Sequence, residues 1–308
     1  MTALIAEYFS PILKNHLNER TALGLSDFIN AKGIKDTGLL EEFIVILRKN
    51  KFIKRKDDKI WLLKSIPNDI VEQTQNKLDR LTRESFQTFA KYTKTAIEDR
   101  LLGTPLSEFD SGELRLQWDI ALRGDFYRYQ RNRAFEFIKF KKILAEKKES
   151  INILDYGCGS GDGTIQIYNY VQNIIKEFNL EAYDVSEGLI AIAEEDDAVG
   201  LPINFFSLNK QKPKSNFYDF IFVSQVFHWH KNPTELIAEL KSYLKPNGLI
   251  FGVQSTISES IYYIDLFIRL LGAQGFPVIS TLYSWFKANN LALTFDPVFY
   301  SFKGEKKT

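Results

Sequence analysis

Between residues 150 and 254 short apolar runs alternate with stretches of helical periodicity. In order they are INIL, a helix over 164–178, LEAYDV, a helix over 186–195, INFFSL, DFIFVSQV, a helix over 233–244, and LIFGVQ. Continuous apolar runs mark strands that are buried on both faces. Parallel strands need long crossovers, and the intervening helices supply them. The pattern therefore predicts an α/β fold, with a parallel sheet covered by helices on both faces. Asn232 and Pro233 open the helix over 233–244, with Glu235 placed to complete a capping box. Gly248 in LKPNG is expected to end it.

In such a sheet, ligands sit outside the carboxyl ends of the strands. The first strand runs at that end into DYGCGSGDG. Gly157, Gly159 and Gly161 remove side chains that would hold a ligand off the backbone, and they permit positive φ. Counted from Gly157, a dinucleotide G-x-G-x-x-G fingerprint would end on Asp162, and no Gly-Lys-Ser/Thr follows. Asp155 would repel a pyrophosphate and suit a cationic amine. Asp184 ends the next strand, where a carboxylate can accept hydrogen bonds from both ribose hydroxyls. A ligand with an amino group, a ribose and an adenine, and without phosphate, fits this order. S-adenosylmethionine is such a ligand.

Composition narrows the remainder. The chain of 308 residues carries 40 Lys and Arg against 39 Asp and Glu. That balance gives no bulk drive toward nucleic acid or an anionic membrane. The one cysteine, Cys158, excludes an internal disulfide framework, and three histidines leave little for a metal site. The N-terminal stretch MTALIAEYFSPILKNHL reads as an amphipathic helix rather than a signal peptide. No run approaches the roughly 18 apolar residues of a membrane span, so the cytoplasm is the expected location.

Three regions are expected. Residues 1–66 show helix, helix and hairpin, the winged-helix order, with Leu39, Leu40, Phe43, Ile46 and Leu47 on one helix face. The second helix has only Arg48, Lys49 and Lys51 near its end, so packing or homodimerisation is expected here rather than DNA binding. Residues 67–147 read as a helical linker or lid, broken at GTPLSEFDSG. Its aromatics Phe126, Tyr127, Tyr129, Phe135 and Phe137 are core or lid residues. Residues 148–308 form the sheet domain, whose tail fits a helix, a second helix from near Thr281, and an antiparallel hairpin. Tyr262, Tyr263, Phe276 and Trp285 of that tail are either core or the wall of a pocket.

ILDYGCGSGDGT, AYDVSEGLI, YDFIFVSQVFHW and LKPNGLIFG resemble the successive motifs of class I S-adenosylmethionine-dependent methyltransferases, with their Rossmann-like sheet. The resemblance implies that Gly157, Gly159 and Gly161 wrap the methionine and ribose, with Asp155 at the amino group and Asp184 on the ribose. It also implies a cofactor contact for Gln225. Many members place an acid at the adenine amine after the third strand; here FFSLNKQKP offers Asn209 or Ser207.

His228, after the fourth strand, is the candidate catalytic base. Methylation of an alcohol, phenol or activated carbon removes a proton, and His is suited to take it. A looser resemblance extends over LLGTPLSEFDSGELRLQWDIALRGDFYRYQRNRAFEFI, YDVSEGLI, QVFHW and LKPNGLIF to the methyltransferase domains of polyketide synthases. In carbon-methylating members a Glu after the fifth strand works with the His; the matching residue here is Gln254. Glutamine can orient His228 but cannot shuttle a proton, which leaves oxygen methylation open beside carbon methylation. The resemblance implies a polyketide-like or other small acyl acceptor, free or bound to a carrier protein. Two other classes stay open: a nucleic-acid methyltransferase docking through the N-terminal module, and a protein that binds the cofactor without catalysis.

Overall fold

Apart from isolated positions, the computed structural model describes residues 20–64, 96–103, 119–120, 122–147, 149–195, 200–258 and 262–306. The chain divides into two compact units, Met1–Gln117 with Tyr263–Gly272, and Trp118–Tyr262 with Ala273–Thr308. Among the described residues no helix is long and apolar enough to cross a membrane.

In the first unit β1 (Leu23–Gly24) leads into α1 (Leu25–Lys32) and α2 (Thr37–Lys49), followed by β2 (Ile53–Lys56) and β3 (Lys59–Leu62). Asp36 caps α2 by accepting the Leu39 N–H at 2.9 Å, which satisfies one of the free donors of its first turn. Leu39, Leu40, Phe43, Ile46 and Leu47 are buried, as their spacing requires. β3 pairs antiparallel with both β1 and β2. The helix Tyr262–Leu270 lies almost wholly in this unit. There Arg269 donates to Glu42 of α2 at 2.6 Å and to Asp265 at 3.0 Å. Residues 96–102 are helical. The other helices expected over 67–95 and the GTPLSEFDSG break lie outside the described residues.

The second unit runs α3 (Asp125–Phe137), α4 (Phe140–Ala145), β4 (Ile151–Tyr156), α5 (Asp162–Gln172), β5 (Phe178–Asp184) and α6 (Glu187–Glu195). It continues with β6 (Ile203–Ser207), β7 (Tyr218–Ser224), α7 (Pro233–Tyr243) and β8 (Leu244–Val253). A last helix, Ile279–Ala288, precedes the hairpin β9 (Leu291–Asp296) and β10 (Ser301–Lys306). The seven strands lie in the order β6-β5-β4-β7-β8-β10-β9. The first five are parallel, and β10 runs antiparallel to both its neighbours.

Adjacent residues on a strand point to opposite faces, and here both faces are apolar. Ile153, Leu180, Phe220, Phe222 and Phe251 pack with Ala134, Phe135, Phe140 and Leu144 of α3 and α4 and Ile167 and Val171 of α5. Leu154, Tyr183, Ile221, Val223 and Ile250 pack on the other side with Leu236, Ile237 and Leu240 of α7 and with Phe286.

Two expectations change. The compact unit that holds the sheet starts at Trp118 rather than 148. The reason is the apolar face of α3 and α4, which supplies the cover over one side of the strands. Gly248 does not end α7, which stops at Tyr243. Instead LKPNG opens β8, and the pairing with β7 jumps from Tyr218–Leu244 to Phe220–Leu249. Pro246 disfavours helix at the residue before it. A Cβ on Gly248 would come within 3.1 Å of the Tyr218 carbonyl oxygen, so the glycine serves a close approach of two strands. At the start of α7, Asn232 accepts the Glu235 N–H at 3.4 Å and Pro233 stands in the first turn, as the sequence predicts.

Candidate active site

β4 and β7 are neighbours whose following connections leave in opposite directions, so their carboxyl ends open a crevice. The chain leaves β4 through Gly157, Gly159 and Gly161 with φ of 77°, 57° and 85°. The turn is tied to the end of β5: Gly157 and Cys158 donate to the Tyr183 carbonyl at 2.7 and 3.1 Å. Gly159 donates its N–H to Asp184 Oδ2 at 2.8 Å, while Oδ1 accepts from Ser186 at 2.9 Å. Asp184 thus holds the loop in shape. A Cβ on Gly157 would lie 2.4 Å from Val226 Cγ2, so that glycine answers to packing as well as to its φ.

Asp155, next to last in β4, is deeply buried and accepts the Thr164 hydroxyl at 2.6 Å. Burial pushes its carboxyl up from 3.8 to about 6, against the Thr164 hydrogen bond and the Arg131 charge that pull it down. Arg131 of α3 is itself buried. It donates to Gln166 at 2.7 Å and pairs with Asp162 in the first turn of α5.

Leu122, Tyr127, Arg131, Asp155, Gly157, Ser160 and Gln225 line a narrow cleft of about 40 Å³. Ligand pockets typically measure roughly 300–1,000 Å³. A nucleoside-sized ligand is larger than the cleft as it stands. A wider groove of about 650 Å³ lies between Arg128, Lys141, Gln166 and Asn169 on helix surfaces, and it shares Asp162 with the cleft. The cleft carries the stronger ligand signal. Ser160 Oγ, in the glycine loop, is buried and has no hydrogen-bond partner among the described residues. Buried hydroxyls are rarely left unpaired, and a polar ligand in the cleft would supply the partner.

Gln225 follows β7 with φ 59°, an uncommon backbone for a non-glycine residue that clusters at functional sites. It donates to Ser255 Oγ at 2.8 Å and accepts the Ser255 N–H at 3.0 Å. Asn209 sits past β6, where its Nδ2 donates to the Val185 carbonyl at 3.0 Å beside Asp184. The sequence's cofactor candidates thus gather along the ends of β4, β5, β6 and β7.

His228 lies on the 3-10 turn Phe227–Trp229, three residues beyond Gln225. It is buried, with Phe276 set edge-on at 4.8 Å between ring centroids. Gln254, fully buried just past β8, places its Nε2 3.3 Å from His228 Nδ1. The same amide accepts the Phe227 N–H at 3.2 Å and donates to the Ser255 carbonyl at 2.9 Å. Burial lowers the imidazole from 6.5 to about 3, with the Gln254 contact opposing. The expected pair is thus in contact. Trp285 packs against the core on the α7 side, while Tyr262 and Tyr263 have side chains outside the described residues.

Sequence reasoning passed over Arg131, Ser160 and Thr164. A signal for the first existed: RYQRNR places three arginines on a stretch whose apolar positions are core, and one of them turns inward. The aromatic stripe divides accordingly, with Phe135 buried in the core, Tyr127 on the cleft, and Phe126 and Tyr129 exposed.

A seven-stranded sheet in this order, with a reversed strand beside its edge and a glycine loop at the switch point, is the class I methyltransferase fold. The chain belongs to the methyltransferase-domain family, whose model matches residues 125–295. It is 31% identical over 144 residues to a malonyl-[acyl-carrier protein] O-methyltransferase of Halalkalibacterium halodurans, covering 44% of this chain and 50% of that one. It is 27% identical over 126 residues to a highly reducing polyketide synthase of Pyrenophora dematioidea, covering 38% of this chain and 5% of that one. The chain spans about half the length, or less, of these curated relatives. Among solved structures, the carbon methyltransferase domain of the citrinin polyketide synthase superposes with a TM-score of 0.74 at 14% identity. That match covers 99% of this chain and 89% of the other.

Proposed function

We propose that this chain is an S-adenosylmethionine-dependent methyltransferase that places a methyl group on an oxygen or carbon of a small acyl substrate. The substrate is presented free or on a carrier protein. The observation that carries this reading is the cleft at the ends of β4 and β7. Its backbone is bent to positive φ at three glycines, its floor holds Asp155, and Ser160 Oγ lacks a partner. The acyl part rests on the relatives, which are a malonyl-[acyl-carrier protein] O-methyltransferase and a polyketide synthase.

In this reading the glycine loop and Ser160 hold the methionine end, Asp155 the amino group, Asp184 the ribose hydroxyls, and Asn209 the adenine. Gln225 sets the cleft wall. When bound, S-adenosylmethionine supplies a methyl carbon on a positively charged sulfur. Asp155 gains its full charge as a cationic amine arrives, because an opposite charge offsets the burial that holds its carboxyl near 6. Arg131 and Tyr127 cover the cleft and exclude water. His228 and Gln254 stand past β7 and β8, where the acceptor is received, and position it in line with the methyl group.

Titration calorimetry of the full chain with S-adenosylhomocysteine tests the cofactor. Intact-mass measurement of malonyl-loaded carrier protein, incubated with the chain and S-adenosylmethionine, tests the acceptor. Binding and the gain of one methyl group are expected; an absence of binding overturns the reading.

A further inference from the structure

The contacts of Gln254 decide more than its distance from His228. Its amide is fully buried and cannot exchange partners with water. The Phe227 N–H points at Oε1, 3.2 Å away, and the Ser255 carbonyl receives Nε2 at 2.9 Å. Turned end for end, the amide would set N–H against N–H and carbonyl against carbonyl. Two backbone groups from different strand ends therefore hold the NH₂ toward His228. One of its hydrogens goes to Ser255, and the other faces His228 Nδ1 at 3.3 Å.

A nitrogen that faces an N–H donor must offer a lone pair. In neutral imidazole one ring nitrogen accepts and the other carries the hydrogen. With Nδ1 accepting, the hydrogen is on Nε2. A doubly protonated ring would put N–H against N–H at Gln254. Turning the ring would set a C–H against the amide and leave a buried N–H of Gln254 without a partner, at the usual desolvation cost. Burial without an opposing charged side chain keeps the ring neutral as well.

We propose that His228 meets the acceptor as a neutral hydrogen-bond donor through Nε2–H, and that the acceptor, needing no base, is an acyl group whose carboxylate is already ionised on arrival. The step rests on the methyltransferase reading above, whereas the proton's position rests on the geometry of Gln254. His228 has no lone pair free to remove a proton: Nδ1 is held by Gln254, and Nε2 carries hydrogen. A carboxylic acid ionises near pH 4 and needs no base at neutral pH. Its oxygen forms the bond to the methyl carbon while the carbon–sulfur bond breaks and its electron pair stays on sulfur. The positive charge of the sulfonium and the negative charge of the carboxylate cancel, and no proton is released. His228 Nε2–H accordingly orients the carboxylate, and it replaces the general base expected from the sequence.

The test is nitrogen-15 NMR of the full chain labelled at histidine, with His228→Gln identifying the resonances of interest. At pH 7 the unprotonated, pyridine-type signal should belong to Nδ1 and the pyrrole-type signal to Nε2. Gln254→Glu, whose carboxylate accepts from Nδ1–H, should reverse the two. If that variant does not fold, the wild-type assignment alone decides. A pyrrole-type Nδ1, or an imidazolium at pH 7, overturns the proposal whether or not the cofactor binds. With S-adenosylhomocysteine present, malonyl-pantetheine should move the Nε2–H proton downfield, and acetyl-pantetheine, which lacks the carboxylate, should leave it in place. Equal effects of the two thioesters, or none from either, overturn the carboxylate assignment; calorimetry with S-adenosylhomocysteine separately reports the cofactor site.

Discussion

The ends of β4 and β5 and the ends of β7 and β8 solve different problems within one sheet. At the first pair, acidic side chains are held by neutral donors: Asp184 accepts from the Gly159 and Ser186 N–H groups, and Asp155 accepts the Thr164 hydroxyl. At the second pair, among the described residues, no charged side chain opposes His228, and a glutamine amide held by two backbone groups faces its ring. The first arrangement suits a cationic ligand of fixed structure. The second suits an acceptor that brings its own negative charge. On the proposed function, charge resides where the ligand is positive and is withheld where it is negative.

The comparison can be broken most severely at His228. Loss of a single donor aimed at a reacting oxygen costs about 10²–10³ in turnover, so His228→Ala should lose that much. Affinity for S-adenosylhomocysteine by calorimetry should be unchanged; a joint loss of both would merge the two regions into one. Asp184→Ala should act in the opposite way, weakening cofactor binding by roughly 1.5–3 kcal/mol, the range for hydrogen bonds to a charged group. Unchanged affinity in that variant would remove Asp184 from the cofactor site.

Asp155 and His228 should also respond to pH with opposite sign. The Asp155 carboxyl is raised from 3.8 to about 6 on folding. Its contribution is complete below about 3.8 and is lost as pH rises through about 6. Asp155→Asn should therefore stabilise the ligand-free chain at pH 8 by on the order of 3 kcal/mol, one unit being about 1.4 kcal/mol, and weaken cofactor binding. Denaturant unfolding that shows a less stable variant at pH 8 contradicts the assignment. The His228 ring is lowered from 6.5 to about 3. Its contribution is complete above about 6.5 and declines as pH falls toward 3, so His228→Phe should flatten the acid limb of the stability curve.

The smallest effect is expected at Gly157. A methyl group there meets Val226 at 2.4 Å on a backbone of φ 77°. Gly157→Ala should cost about 1–2 kcal/mol in thermal unfolding, and Val226→Ala in the same chain should recover part of it. No recovery would show that φ alone sets the requirement.

The first region was legible in the sequence because its information is local. DYGCGSGDG and AYDVSEGLI name their own turns and acids, and alternating apolar runs place both at strand ends. Gly157 also answers to a neighbour that its motif does not show, since a Cβ there would strike Val226. Gly248 departs from its sequence expectation because a glycine after a helix and a glycine at a strand crossing look alike; the carbonyl of Tyr218 decides between them. α3 and α4 look like linker in the sequence because the partner of their apolar face lies on distant strands. Arg131 escaped for the same reason, as its burial depends on Asp162 and Gln166. The second region was legible only as a pair of positions. That Gln254 turns its NH₂ toward His228 depends on the Phe227 N–H and the Ser255 carbonyl, and no side-chain pattern encodes where those point.

The way Gln254 is held also bears on how such a site can evolve. Codons for glutamine and glutamate differ only in their first base, so one nucleotide change converts the amide into a carboxylate of almost the same shape. On the proposed tautomer, that change would move the hydrogen of His228 from one ring nitrogen to the other and turn a donor into a base. It would also set a carboxylate oxygen against the Ser255 carbonyl, now 2.9 Å from the amide nitrogen. A lineage crossing from one acceptor chemistry to the other would therefore carry a compensating change in the backbone around residue 255, and that residue is where descent from either kind of ancestor should leave its trace.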